Sequence, residues 1–319
     1  MNIYLTGGTG FVGSNFLRVA LERHGAKVFA ALNRTGLEPR ENLSMDFVNL
    51  TGKAETIASI KKANPDAIVH MAFYNDIPLS YSRREEAWDA MVNATQYLIE
   101  GASELNIPIV FVSSDWVFDG TQGPASEAAP PNPINYYGVL KVIGETLVTQ
   151  YEKGAVARIA GVFGPHWSQK NWRALQNTGF GNLPVATIHA LQNGGAFDLW
   201  MRGDNLNLLA TPTLASDACE MMIKIIQQEA TGIFHCCGAE GLGRAEVARR
   251  SAEAFGFGAS QVREASVDQA QAGGWQGIPI PEDTRLDGAA TARALNHPLL
   301  SFDESLAKLK IQIETGELE

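Results

Sequence analysis

Cysteine is scarce: Cys219, Cys236 and Cys237 are the only three in 319 residues. They are too few and too clustered for a disulfide framework, as expected of a chain working in a reducing cytoplasm. Positive charge is also short. The 25 Lys and Arg face 35 Asp and Glu, a formal net charge of -10, which argues against a nucleic-acid partner. An anionic ligand must therefore be held by local groups and not by the global field. No apolar run reaches the roughly 20 residues a membrane span needs. The opening residues Asn2-Ile3-Tyr4-Leu5 already read as a strand, so no signal peptide is expected. Internal repeats and low-complexity tracts are missing as well.

What is present begins with Tyr4-Leu5-Thr6-Gly7-Gly8-Thr9-Gly10-Phe11-Val12-Gly13-Ser14. A strand-like run leads into spaced glycines, and a helix-like run follows. The glycines fit Gly-x-Gly-x-x-Gly (Gly8, Gly10, Gly13) and equally Gly-x-x-Gly-x-x-Gly (Gly7, Gly10, Gly13). Such a turn lets the backbone approach a pyrophosphate at the N-terminus of the following helix. The flanking strand and helix supply the context that this motif requires.

The first half alternates short apolar runs with amphipathic ones. Strands are expected at Ile3–Thr6, Lys27–Leu32, Phe47–Leu50, Ala67–Ala72, Ile109–Ser113 and Ala155–Ile159. Helices are expected at Val12–Arg23, Ala54–Ala63, Glu85–Leu105 and Tyr136–Tyr151. This βαβ order predicts an α/β fold with a Rossmann-type doubly wound parallel sheet. From Pro165 onward the pattern loosens into a long irregular stretch holding Trp167 and Trp172. A helix at Thr213–Gln227, a strand at Gly232–Cys236 and helices at Arg244–Phe255 and Ser305–Ile311 follow. The division expected is a dinucleotide-binding domain over residues 1–165, rejoined by 200–237. A smaller, discontinuous substrate-binding region is expected over 166–199 and 238–319.

In such folds an acid about 20 residues past the glycines holds the ribose hydroxyls of NAD. Here Asn33 and Arg34 occupy that place. Arg34 can pair with a 2′-phosphate that an acid would repel, so NADP(H) is favoured over NAD(H). Further along, Tyr137 and Lys141 stand at i and i+4, on one helical face, with Asn135 as a plausible N-cap. Ser114 ends a buried-type strand, at the carboxyl edge where open α/β sheets bind ligands. A carbonyl accepting hydride needs a proton donor; Tyr137 supplies one, Lys141 tunes it, and Ser114 steadies the developing charge.

On these residues the chain resembles the extended short-chain dehydrogenase/reductase family, over nearly its whole length. Within it, the chain is most similar to the dTDP-4-dehydrorhamnose reductase branch. The matching text is Val112-Ser113-Ser114-Asp115-Trp116-Val117-Phe118-Asp119-Gly120, then Glu127, Pro130 and Pro133. Thr211-Pro212-Thr213 and Arg285-Leu286-Asp287 extend it. The resemblance implies Ser114, Tyr137 and Lys141 as the catalytic set. It implies cofactor contacts from Gly7, Thr9, Gly10, Phe11, Val12 and Gly13, from Asn33, Arg34, Asn49 and Leu50, and from Met71, Ala72, Tyr137 and Lys141. Asp115, Trp116, Asn171 and Trp172 are the implied substrate contacts. Asp115-Trp116 in place of the Asp-Glu of sugar-nucleotide dehydratases implies net reduction. The chain departs from the branch at Arg158-Ile159-Ala160-Gly161-Val162-Phe163, where a Trp is missing, and at Ile77-Pro78-Leu79-Ser80-Tyr81. The reaction type therefore carries over and a dehydrorhamnose substrate does not.

The function expected is reduction of a ketone on a small-molecule carbonyl substrate, a 4-keto sugar nucleotide being one candidate. The alternatives are a non-catalytic nucleotide-binding regulatory subunit and a sugar-nucleotide epimerase. His70 reads as a packed histidine near the cofactor, and Asn93 as either an active-site support or a plain helix residue. Trp167 and Trp172 either stack on a ligand or fill the second region's core. His235-Cys236-Cys237 presents only two ligands on one strand face, so no metal is expected. Trp88, Met91, Val92, Tyr97 and Ile99 give the Glu85–Leu105 helix more apolar surface than one sheet face needs. A homodimer through that helix and Tyr136–Tyr151 is expected.

Overall fold

The computed structural model describes residues 1–74, 76–169, 181–201, 208–266 and 277–318. The chain order opens with β1 (Asn2–Thr6), α1 (Phe11–Arg18), β2 (Lys27–Leu32), β3 (Leu43–Phe47), α2 (Lys53–Ala63) and β4 (Ala67–His70). Next come α3 (Ile77–Ser82), α4 (Arg84–Trp88), α5 (Ala94–Leu105), β5 (Ile109–Ser114), α6 (Tyr136–Thr149), β6 (Gly154–Ile159) and a short β7 (Val162–Phe163). The second half holds α7 (Leu183–Gly194), β8 (Phe197–Met201), β9 (Leu209–Ala210), β10 (Thr213–Leu214), α8 (Ala215–Gln227) and β11 (Gly232–His235). It ends with β12 (Leu242–Gly243), α9 (Arg244–Ala254), β13 (Val262–Ser266), α10 (Ala289–Leu295) and α11 (Phe302–Thr315).

Seven parallel strands form the central sheet in the order β11-β6-β5-β4-β1-β2-β3. The order reverses beside β1, so the crevice between the carboxyl ends of β1 and β4 is the switch point where such sheets take ligands. One face packs on α1 and α8 through Phe16, Leu17, Met221 and Ile225; the other packs on α2, α5 and α6 through Ile60, Leu98 and Val148. Strands β4 and β5 are buried at every position, as parallel strands covered on both faces must be. A second apolar cluster joins α7, β8, α9 and α11 through Ile188, Leu199, Val247 and Leu306.

Several expectations need correcting. The third strand is Leu43–Phe47 and not Phe47–Leu50: it is the sheet edge, and its polar Ser44 and Asp46 hide the strand pattern. The stretch after Pro165 is not irregular throughout, since α7 and β8 lie within it. β8 pairs in parallel with β13. The Glu85–Leu105 helix runs as α4 and α5 with a wide π-type turn at Asp89–Asn93 between them. Met91 and Val92 on that turn are buried within the chain against Leu140, so they add nothing to an outer apolar face. Among the described residues no helix is long and apolar enough to cross a membrane.

Candidate active site

A cleft of about 410 Å³ opens at the switch point, lined from one side by the glycine loop and from the other by β5, α6 and the turn after Ser114. Thr6 sets the first wall. Its Oγ1 accepts from the Met71 and Ala72 amides, each at 3.1 Å, so its own proton goes to Nδ1 of His70 at 2.7 Å. That leaves the imidazole proton on Nε2, which donates to Thr95 Oγ1 at 3.1 Å, and Thr95 donates to the Met91 carbonyl at 2.7 Å. Burial, aided by the Lys141 charge, holds His70 down at about 3, so the ring is a neutral link in this chain. His70 is thus a tie between β1, β4 and the helix behind them.

The tie fixes the glycine turn. Gly7 adopts a φ of 74°, and a Cβ there would stand 2.6 Å from the Met71 carbonyl. Gly13 abuts the Gly7 carbonyl so closely that any side chain would collide with it. No side chain caps α1 at Gly10, and its first turn carries no acid. The positive dipole end of α1 therefore meets the cleft, an arrangement that fits the pyrophosphate of a dinucleotide.

The opposite wall starts from Asn135. Its Oδ1 accepts from the Gly138 amide at 2.8 Å, starting α6, while its Nδ2 donates to the Pro279 carbonyl at 3.2 Å. A Cβ on Gly138 would collide with the Trp116 carbonyl, so α6 rests directly on the turn at Asp115–Val117. That close approach brings Tyr137 and Ser114 onto the same wall of the cleft. The Trp116 and Tyr137 rings meet edge to face at 6.1 Å. One turn on, Lys141 is buried; its Nζ donates to the Val112 carbonyl at 2.9 Å and lies 2.8 Å from the Phe73 ring centroid.

Burial shapes the charges of this wall. It raises the Tyr137 phenol above its ordinary value; the neighbouring Ser114 hydroxyl opposes that rise and the Asp115 charge adds to it. It lowers the Lys141 ammonium well below its ordinary value, with Glu145 pulling the other way. Asp115 is pushed up to about 6 by burial, although Thr284 Oγ1 donates to its Oδ2 at 2.5 Å and Ser114 Oγ to its Oδ1 at 2.9 Å. Titratable groups displaced this far inside a cleft make it a candidate functional site.

The expected residues distribute as follows. Gly7, Gly10, Phe11, Val12, Gly13 and Met71 line the glycine side of the cleft, and Ser114, Asp115, Trp116, Tyr137 and Lys141 the other. Thr9 lies in the same turn, where its carbonyl accepts from Ser168 Oγ at 2.7 Å. Ala72 bonds Thr6 behind the lining. Asn33 and Arg34 are exposed just past the end of β2; Leu32 pairs with Phe47, which brings Asn49 and Leu50 alongside them. Asn171 and Trp172 fall outside the described residues. Trp167 sits neither in the second cluster nor free in the cleft: its ring NH donates to Asn15 at 3.0 Å, and the Arg18 guanidinium lies 4.0 Å over it. Asn93 turns along its own helix and donates to Asp89 at 2.6 Å. His235 has both ring nitrogens engaged, Nδ1 donating to the Asp287 carbonyl at 2.9 Å and Nε2 accepting from Arg158 at 3.3 Å. Phe73, Ile77, Asn182 and Thr284 were not anticipated. Only Phe73 had a local signal, its place directly after Met71-Ala72.

Residues 1–185 match the family described as RmlD substrate binding domain. The chain belongs to that family. The RmlD substrate-binding chain falls in the dTDP-4-dehydrorhamnose reductase branch, among NAD(P)-dependent oxidoreductases of the short-chain dehydrogenase/reductase type. It is similar to methionine adenosyltransferase 2 subunit beta of Xenopus tropicalis, 26% identical over 265 residues, covering 81% of this chain and 73% of the relative. Among solved structures it is similar to a hypothetical dTDP-4-dehydrorhamnose reductase from Sulfolobus tokodaii, with 25% identity, a TM-score of 0.76, and coverage of 95% and 99%. The dTDP-4-dehydrorhamnose reductase from Bacillus anthracis in complex with NADP shares the fold at 18% identity, a TM-score of 0.76, and coverage of 98% and 99%.

Proposed function

We propose that this RmlD-family chain is an NADP(H)-dependent reductase of a nucleotide-linked 4-keto sugar, with Ser114, Tyr137 and Lys141 as its catalytic set. The observation that carries the reading is the meeting of those three side chains with the glycine turn in one cleft. Gly7, Thr9, Gly10, Phe11, Val12 and Gly13 would hold the pyrophosphate, and Met71 and Ala72 would flank the next segment of the cofactor. Asn33, Arg34, Asn49 and Leu50 would take the adenosine end. Arg34 is exposed past β2 where an acid would exclude a 2′-phosphate, which supports NADP(H).

A bound nicotinamide supplies the hydride. Tyr137 keeps its proton because burial raises its phenol, and it gives that proton to the carbonyl oxygen. Ser114, on the same wall of the cleft as Tyr137, steadies the same oxygen. Lys141 would contact the nicotinamide ribose and, one turn from Tyr137, offset the phenolate left behind. Asp115 and Trp116, with Asn171 and Trp172, would contact the sugar, under cover of the region formed by 166–199 and 238–319. A homodimer is proposed through α4 and α6, where Trp88 and Val139 remain 42% and 40% exposed.

The test is loss of reduced-cofactor absorbance with a panel of nucleotide-linked 4-keto sugars set against simple ketones. Turnover that prefers the sugar nucleotides supports the reading. Tight NADPH binding with no turnover on any member overturns it. The name of the Xenopus tropicalis relative, a subunit of another enzyme, then favours a second reading, in which the chain binds a nucleotide and serves as a regulatory subunit.

A further inference from the structure

A serine hydroxyl has one proton, and at Ser114 that proton is already committed. Ser114 Oγ donates to Asp115 Oδ1 at 2.9 Å and accepts from the Trp116 amide at 3.2 Å. In that state Ser114 has nothing to donate to a carbonyl oxygen in the cleft. The polarity reverses only if Asp115 carries a proton. Thr284 Oγ1 donates to Oδ2 at 2.5 Å in preference to the Leu209 carbonyl at 3.4 Å, which leaves Oδ1, the oxygen facing Ser114, as the place for the proton. The acid O–H then donates to Ser114 Oγ, and the serine proton turns to the cleft that Ser114 lines.

Resting on the reductase reading, we infer that Asp115 is a positioning residue whose protonated carboxyl group, held by Thr284, turns Ser114 from acceptor to donor at the reacting oxygen. The surroundings agree. Burial pushes Asp115 up to about 6, against the hydrogen bonds from Thr284, Ser114 and nearby backbone that favour its charge. The titratable groups facing it are Tyr137 from α6 and Cys237 just past β11, both raised by burial and therefore neutral. Glu127 adds its charge beside Cys237. Flanking Thr284, Asp283 and Arg285 pair with each other at 2.6 Å. Lys141, one turn along α6, spends a proton on the Val112 carbonyl. Thr284 arrives from 169 positions away in sequence, so the C-terminal region holds a switch that acts on the reaction centre.

The test uses the full chain. For carbonyl reduction, kcat/KM is expected to fall between two plateaus as pH rises through about 6. The whole drop should not exceed the loss from Ser114→Ala, about 10²–10³. Asp115→Asn should remove the transition whatever its absolute rate. Thr284→Val removes a bond that favours the carboxylate and should move the transition to higher pH. In parallel, the infrared carboxylic-acid C=O stretch of the cofactor-loaded chain is expected to fade through the same pH range, to vanish in Asp115→Asn and to persist to higher pH in Thr284→Val. A rate transition that survives in Asp115→Asn overturns the inference, as does an acid band unaffected by that substitution. If no carbonyl is reduced at any pH, the reductase reading fails on its own, and the infrared titration still decides the protonation of Asp115.

Discussion

Two buried charge clusters sit one helical turn apart on α6 and are built in opposite ways. Glu145 receives two bonds from Arg158, Nε at 2.9 Å and Nη2 at 2.7 Å, and Arg158 passes a third to His235. Every charge there has its opposite, and the group joins α6 to β6 and β11. Lys141, four residues earlier, has a carbonyl and an aromatic face for partners, and Asp115 nearby has two hydroxyls. Burial therefore moves the titration of Lys141 and Asp115 away from ordinary values. A matched pair makes scaffold; a charge given only neutral partners stays ready to change protonation or meet a ligand.

The sharpest way to break this contrast is Tyr137→Phe, at the unmatched end. Turnover should be abolished while cofactor affinity measured by calorimetry stays nearly unchanged, because the ring still packs. Near-normal turnover would remove Tyr137 from the chemistry. At the matched end Glu145→Ala strands the buried Arg158 guanidinium, and a loss of about 3–5 kcal/mol in denaturant unfolding is expected. A loss below about 1 kcal/mol would mean that Arg158 finds water, and that the cluster is less sealed than its 0% and 4% exposures indicate. The smallest effect belongs to the exposed rim. Arg34→Asp should reverse the preference for NADP(H) over NAD(H) at a cost of about 1–3 kcal/mol in NADP(H) affinity. Titration calorimetry showing equal or better NAD(H) binding by the unaltered chain would defeat that assignment.

The legibility of the two halves differs for the same physical reason. Glycines crowded against backbone, an i and i+4 pair on a capped helix, and apolar strands of a parallel sheet all write local patterns. These were readable as residues 1–14, 109–114 and 135–141. α7 is apolar nearly all round, with seven of its twelve residues buried, so it shows no helical stripe; only Pro184 near its start marks it. β8 does alternate, Phe197, Leu199 and Met201 facing inward, but a strand of five residues close to glycines is easily read as loop. Thr284 could not be anticipated, because its bond to Asp115 spans 169 residues and no local rule connects them. The donor direction at Ser114 was equally hidden, since it depends on that distant partner.

Asn135 has a consequence for how such chains can be recombined. The residue that starts the helix bearing Tyr137 also grips the Pro279 carbonyl, and the turn beneath that helix is held through Asp115 by Thr284. Residues 279–284 therefore cannot be exchanged between relatives as an independent cassette for new specificity. A graft that brought a different backbone there would shift the start of α6, and the placement of the phenol would be inherited from the donor along with the pocket.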